Sequence, residues 1–504
     1  YYMLPLLLGL AGMMSQFRRR PKDATVVLTL FFLTGIAIVM YLNQKPYEPR
    51  ERDYTFAASF YAFAIWVGVG VVPLAGLLGR LLRERIGVAV AIALSLLLVP
   101  CIMARENWDD HDRSGRYVSV DFGKNMLNTS GKNGILFTYA DNDTFPLWYA
   151  QEAEGFRTDV RICNLTYLGG DWYVDVMSRK AYDGDPLPFG MERKDYLEGN
   201  NDVVVMQDLL KHPYDLKESL GFVLSGDPNA RISSPMVGGG YISRLPTNRF
   251  TVPADRRVAE ELVPSQFHGQ LLDTVLLSPK GSLLYKNGFA MYCLLANNEW
   301  RRPMYYSPLL PKDMYWGLDR YFATDGLVSE VFPVSFSDGA VRVDTARSYQ
   351  NLVERYSFRS INAPSVYLDE TCKRMIEYYV RGFATTAEGL AQMGDSAKCV
   401  RLLDHCFASL PPARVDWSYN WLPMIECYYR CGEKAKGAER VLEYAGQCID
   451  QVHFMQLLPE HLQRMAQNEY SMAMAVLEQL VRMAKAHGDE ETLAIIEKQM
   501  GSLF

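Results

Sequence analysis

A short charged stretch, YLNQKPYEPRERDYTF at 41–56, lies between two runs that carry no charge at all, 24–42 and 55–79. A helix needs about 20 apolar residues to cross a bilayer, and each run reaches that length. Lys45, Glu48, Arg50, Glu51, Arg52 and Asp53 fall within the stretch between them. A charge at mid-bilayer costs about 2.5–3.5 kcal/mol on insertion scales, so these groups must lie at or outside the interface. Pro46 and Pro49 remove amide donors and fix φ, which stops either helix from continuing through the loop. The expectation is a stiff, charged loop pinned at a membrane surface. Its functional reading is a site for a charged ligand; its structural reading is an Arg-to-carboxylate clamp that closes two helices.

Four apolar segments are predicted as membrane helices, at 1–17, 24–42, 55–79 and 86–104. The connection after the first carries Arg18, Arg19, Arg20 and Lys22 against Asp23, and the one after the third carries Arg80, Arg83 and Arg85 against Glu84. Short loops rich in Lys and Arg stay cytoplasmic. Both basic loops fall on one side, which puts the 41–56 loop and everything after residue 104 on the other. The opening YYMLPLLLGL has neither an initiator Met nor a basic region before its apolar run. It reads as the interior of a membrane segment rather than a signal peptide, so further helices are expected ahead of it.

Residues 105–504 have ordinary soluble character. A net charge of -6 without a long basic run argues against nucleic acid. Nine cysteines include no C-x-x-C pair and read as buried thiols. Asp109, Asp110, His111 and Asp112 crowd the stretch just after the last apolar run. They are candidates for a juxtamembrane metal- or phosphate-facing site, or for a solvated linker. GILFTYA (134–140) and DVRICNLTYLG (159–169) read as strands, and the segments after them, FPLWYAQEAE and DWYVDVMSRKAY, as helices. This spacing predicts a parallel α/β unit with Asp143 or Thr144 as a helix cap. From about 366 the pattern turns helical, with shared turns at Gly394-Asp395, Gly432-Glu433 and Gly488-Asp489. The turns resemble those of degenerate tetratricopeptide-like helix pairs, which suggests a surface for a protein partner. The fold class is thus multi-domain: transmembrane helices over 1–104, an extracytoplasmic α/β domain over 105–350, and a tetratricopeptide-like helical domain over 351–504.

Three motifs together, NQKPYEPRERDYTFAASFYAFAIW (43–66), RENWDDHDRSGRY (105–117) and DNDTFPLWYAQE (141–152), resemble a bacterial membrane-protein family. That family, formerly a domain of unknown function, is grouped with the protein O-mannosyltransferase-like GT-C glycosyltransferases. The resemblance covers the whole chain as the C-terminal half of a longer protein. It implies a multi-pass enzyme of the bacterial inner membrane with periplasmic domains. Such an enzyme transfers a sugar, mannose among the candidates, from a polyprenyl-phosphate donor to a secreted or envelope protein or a glycan. No cofactor beyond the donor is implied. Arg50, Arg52 and Lys45 would bind the donor phosphate, since a guanidinium grips two oxygens at once. Tyr47 and Tyr54 would pack on the sugar or the lipid. The family's main catalytic acid lies in an external loop near the N-terminus, ahead of this chain; within the chain Glu48, Glu51 and Asp53 are the local carboxylates. The rival reading is a non-enzymatic, membrane-anchored envelope scaffold whose helical tail binds partner proteins.

Overall fold

The computed structural model describes residues 3–43, 52–210, 212–234, 240–337 and 339–501. The chain divides into two units, Tyr1–Arg113 and Ser114–Phe504.

The described part of the first unit is helical throughout. Among the described residues three helices are long and apolar enough to cross a membrane: Pro21–Leu42, Asp53–Leu81 and Glu84–His111. The expected fourth span is shorter. It forms a helix over Leu4–Arg19, 16 residues long, ended by the Arg18–Arg20 run and by Pro21, which starts the next helix.

In lipid, helices associate through close packing and interhelical hydrogen bonds rather than through the hydrophobic effect. Both devices are present. Gly9 and Gly12 are the buried positions of the first helix, and a Cβ at Gly12 would collide with the Trp66 carbonyl. Trp66 is itself 1% exposed and donates from Nε1 to Gln16 Oε1 at 2.7 Å. Ser59 Oγ donates to the Phe31 carbonyl at 3.1 Å. Pro73 lies in the first turn of the segment Val71–Leu81, and Pro100 inside a π-helical turn, Leu97–Cys101.

The second unit is built around a five-stranded sheet. Ile135–Thr138 is central, parallel to Arg161–Asn164 on one side and to Met304–Tyr306 on the other. Val328–Val331 runs antiparallel to Met304–Tyr306 and carries Phe322–Asp325 at the edge. The two predicted strands are found in parallel register, Leu136 opposite Ile162, with the Asp141–Glu152 helix between them. A parallel sheet must be covered on both faces. Ile135, Phe137, Cys163, Met304 and Tyr306 face a core that includes the almost wholly buried helix Lys286–Asn298. Leu136, Ile162 and Tyr305 face the opposite core. That core receives Phe122 and Leu147 and then continues into the C-terminal helices as far as Ile496. Two smaller sheets, of four and three strands, complete the α/β part.

From Glu370 the chain is helical, with principal helices Glu370–Gln392, Ser396–Ser409, Trp421–Arg430, Lys434–Gln456, Gln467–Ala486 and Glu490–Met500. Gly394, Gly432 and Gly488 take φ of +78°, +85° and +61° at the predicted turns, the left-handed region that terminates a helix. The acids that follow differ in use. Asp395 accepts from the Lys398 amide at 3.1 Å as an N-cap, whereas Asp489 is buried and accepts from the Tyr429 hydroxyl at 2.9 Å. All nine cysteines are free thiols, most of them buried.

Candidate functional site

The loop that organises the sequence is described only at its two ends, 41–43 and 52–56. Lys45, Tyr47, Glu48, Arg50 and Glu51 lie outside the described residues. Arg52, Asp53 and Tyr54 form a tight turn that feeds the second apolar helix. The Arg52 carbonyl accepts from the Thr55 amide at 2.9 Å and from Thr55 Oγ1 at 2.7 Å. Asp53 then occupies the first helical turn, where a carboxylate meets the positive end of the helix dipole. Tyr54 is 62% exposed. A cation, a carboxylate and a phenol ring therefore stand in succession at the mouth of an apolar helix.

Asp109, Asp110 and His111 are not in a linker. The last apolar helix runs on to His111, because nothing from Arg105 to His111 breaks a helix and the first breaker is Gly115. All three are exposed, as is Asp112 just beyond. His111 Nδ1 lies 2.8 Å from the Asn107 carbonyl, and Arg113 donates to the Asp110 carbonyl at 2.6 Å, closing the helix end. Among the described residues no group of three or more His, Cys, Asp or Glu side chains is arranged to hold a metal ion.

The carboxyl ends of the parallel strands hold a polar network that the sequence showed only in part. Ligands of open α/β sheets bind at this end, beside the strand where the order reverses. Here that strand is Ile135–Thr138. Asp143 is fully buried and accepts from the Tyr139 amide at 3.1 Å and the Ala140 amide at 3.0 Å. Its position corrects the expected cap: Ala140 is the N-cap residue, and Asp143 reaches back to it from the third helical position. Burial pushes the Asp143 carboxyl above its usual range, opposed by hydrogen bonds from Ser307, Tyr139 and Ala140. Thr144 Oγ1 donates to Thr138 Oγ1 at 2.9 Å and accepts from Asn164 Nδ2 at 2.8 Å. Asn164 Oδ1 accepts from the amides of Thr166 and Tyr167. The network fixes the two loops that leave the sheet, while Asp141 and Asn142 remain exposed on top. Asn164 and Ser307 went unremarked in the sequence; the available signal was a polar residue closing each apolar strand.

At the other edge of the sheet Asp325, Glu330 and Asp344 are all buried around one guanidinium. Arg347 reaches Asp325 at 2.6 Å, Glu330 at 3.0 Å and Asp344 at 3.7 Å. One cation cannot neutralise three carboxylates. Burial accordingly pushes Asp325 up to about 7 and Glu330 up to about 8, against the pull of Arg347. The cluster ties the edge hairpin to the Thr345–Gln350 helix.

Residues 119–347 match a family model described as TMEM260-associated domain 2. The match includes the central sheet, the polar network at its carboxyl end and the buried acid cluster. No curated protein and no solved structure matches the chain.

Proposed function

We propose that the chain belongs to a membrane glycosyltransferase of GT-C type that moves a sugar, mannose first among the candidates, from a polyprenyl-phosphate carrier to an extracytoplasmic protein or glycan. The observation that carries this reading is the match of residues 119–347 to a domain associated with TMEM260, a protein O-mannosyltransferase-like family. It is supported by three helices of membrane-crossing length in the same chain, and by the charged turn at the head of one of them. The reading takes the Lys- and Arg-rich loops as cytoplasmic, which puts the 41–56 loop and the second unit on the extracytoplasmic side, the periplasm of a bacterial inner membrane.

In this reading Arg52, with Arg50 and Lys45 of the same loop, grips the donor phosphate, and Tyr54 and Tyr47 pack on the sugar or prenyl chain. The acceptor hydroxyl attacks the anomeric carbon, its proton goes to a carboxylate, and the polyprenyl phosphate leaves. Asp53, Glu48 and Glu51 are the carboxylates of the loop, with the principal base assigned to a loop upstream. The second unit holds the acceptor, and the helical tail, read as tetratricopeptide-like, docks a protein partner. The test is transfer of labelled sugar from polyprenyl-phosphate mannose and polyprenyl-phosphate glucose to envelope protein, in membranes containing the full-length protein. A labelled product that depends on the protein is the expected result. Its absence with every donor gives precedence to the envelope-scaffold reading.

A further inference from the structure

Beyond the second parallel strand the chain turns through Tyr167–Gly169 and enters the Asp171–Met177 helix. A cleft of about 510 Å³ opens there, lined by Gly170, Asp171, Glu198, Asp202, Tyr285 and Asn287 among others. That size suits a small ligand, since ligand pockets run from about 300 to 1,000 Å³. The lining includes a single cation, Lys286, and it is already committed. Its side chain is 7% exposed, pairs with Asp202 and donates to the Leu197 carbonyl at 3.3 Å. What remains for a ligand is acidic: Asp171 and Glu198 offer carboxylate oxygens. Such a lining repels phosphates, acidic peptides and anionic lipid headgroups, and it accepts hydrogen bonds from hydroxyls.

A row of aromatic rings leads out of the cleft. Trp172 lies against Gly170 closely enough that a Cβ there would sit 2.8 Å from the indole Nε1. From Trp172 the row runs to Tyr167, Trp148 and Phe145 at centroid spacings of 6.0, 6.1 and 5.7 Å, with Tyr167 and Trp148 stacked at 20°. Trp172 is 56% exposed, Phe145 48%, and Tyr285 on the cleft wall 58%. Trp172 and Phe145 are the exposed ends of the row, and Tyr167 and Trp148 between them are half-buried against the core; exposed aromatic rings of this kind mark an interaction surface. An occupant suited to both features presents apolar faces to the exposed rings and hydroxyl edges to the carboxylates. A lipid surface offers the first property without the second, and its anionic headgroups would meet the wrong charge.

We propose that this cleft and its aromatic row bind a neutral oligosaccharide, with sugar faces on Trp172 and Tyr167 and hydroxyls donating to Asp171 and Glu198. Binding stands on the chemistry of the cleft; its use as the acceptor subsite rests on the transferase reading above. The full chain in neutral-lipid nanodiscs is titrated calorimetrically with mannotriose, cellotriose and maltotriose, beside sialyllactose and phosphatidylserine vesicles. Trp172→Ala and Asp171→Asn alter exposed or half-exposed side chains, and thermal melting checks that both variants fold as wild type does. Saturable binding of at least one neutral trisaccharide is expected, weakened about tenfold or more in each variant, with none for sialyllactose or vesicles. The proposal is overturned if no neutral trisaccharide saturates, if both variants bind like wild type, or if vesicles bind in a Trp172-dependent way. Binding without donor-dependent transfer sinks the enzyme reading alone, and transfer without saccharide binding sinks this proposal alone.

Discussion

Glu330→Gln should stabilise the protein in mild base and leave it unchanged in mild acid. Glu330 is 1% exposed and shares Arg347 with Asp325 and Asp344. In the folded chain burial holds its proton up to about pH 8, against an ordinary 4.5. A carboxyl raised in this way contributes stability that is complete below the unfolded value and is lost as pH climbs through the folded one. The window is therefore roughly pH 4.5 to 8, and wild-type stability falls across it. At about 1.4 kcal/mol for each pH unit, full titration would cost roughly 4–5 kcal/mol. Arg347 is 35% exposed, so water reaches the cluster and screens it; about half that figure, roughly 2 kcal/mol, is expected. The amide of glutamine still accepts from Arg347 and has no proton to lose. Denaturant unfolding of the full chain at pH 5 and pH 8, with hydrogen exchange across 322–355 as a local readout, measures the difference. If wild-type stability rises from pH 5 to pH 8, and the variant is weaker by about 2 kcal/mol at pH 8, Glu330 is ionised in the fold and the argument from burial fails.

Further substitutions test separate parts of the account. Gly12→Val places a branched side chain against the Trp66 carbonyl; a loss of about 2–3 kcal/mol is expected from overpacking, read as a lower midpoint in detergent unfolding, and an unchanged midpoint denies the close helix approach. Asp121 is 2% exposed and accepts from the Arg359 amide and Nε, each at 2.9 Å. Asp121→Asn should cost about 1–2 kcal/mol, because the half-exposed Arg359 guanidinium keeps water and the Tyr117 ring but loses the charge-assisted bonds to a buried carboxylate, visible as a depressed melting temperature. Asp143→Ala leaves the Tyr139 and Ala140 amides without their acceptor. It should cost about 1–3 kcal/mol and speed hydrogen exchange at those two residues, and slow exchange there would mean that another group holds the loop.

What the sequence made legible follows the strength of the local physics. Charge-free runs of membrane length can be read without context, and three of the four expected segments meet the requirement for a span. The fourth forms a helix over Leu4–Arg19, whose end the Arg18–Arg20 run marks. The βαβ unit was readable because Gly134 and the polar 141–143 stretch punctuate apolar runs. Its capping detail was not, since only the fold shows that Asp143 turns back towards Ala140. The glycine-acid turns of the tail were visible as a repeated pair, yet their roles diverge once tertiary packing buries Asp489 and leaves Asp395 at the surface. The helix that carries Asp109, Asp110 and His111 ran past its predicted end, because loss of hydrophobicity marks the edge of a membrane and not the end of a helix. Long-range assemblies were silent altogether. Arg347 lies 22 residues from Asp325 and 17 from Glu330 in sequence, and nothing local announces that they meet.

The central claim is sugar transfer that depends on the charged turn at the membrane. The most direct measurement compares wild type, Arg52→Ala and Arg52→Lys at equal expression, assaying release of labelled mannose from its polyprenyl-phosphate carrier to envelope protein. The account predicts transfer by wild type, a fall of about tenfold or more in Arg52→Ala, and partial recovery in Arg52→Lys, which restores the charge without the two-pronged grip. Full transfer by Arg52→Ala would remove the turn from the donor site, and no transfer by wild type from any polyprenyl-phosphate sugar would contradict the enzyme reading itself.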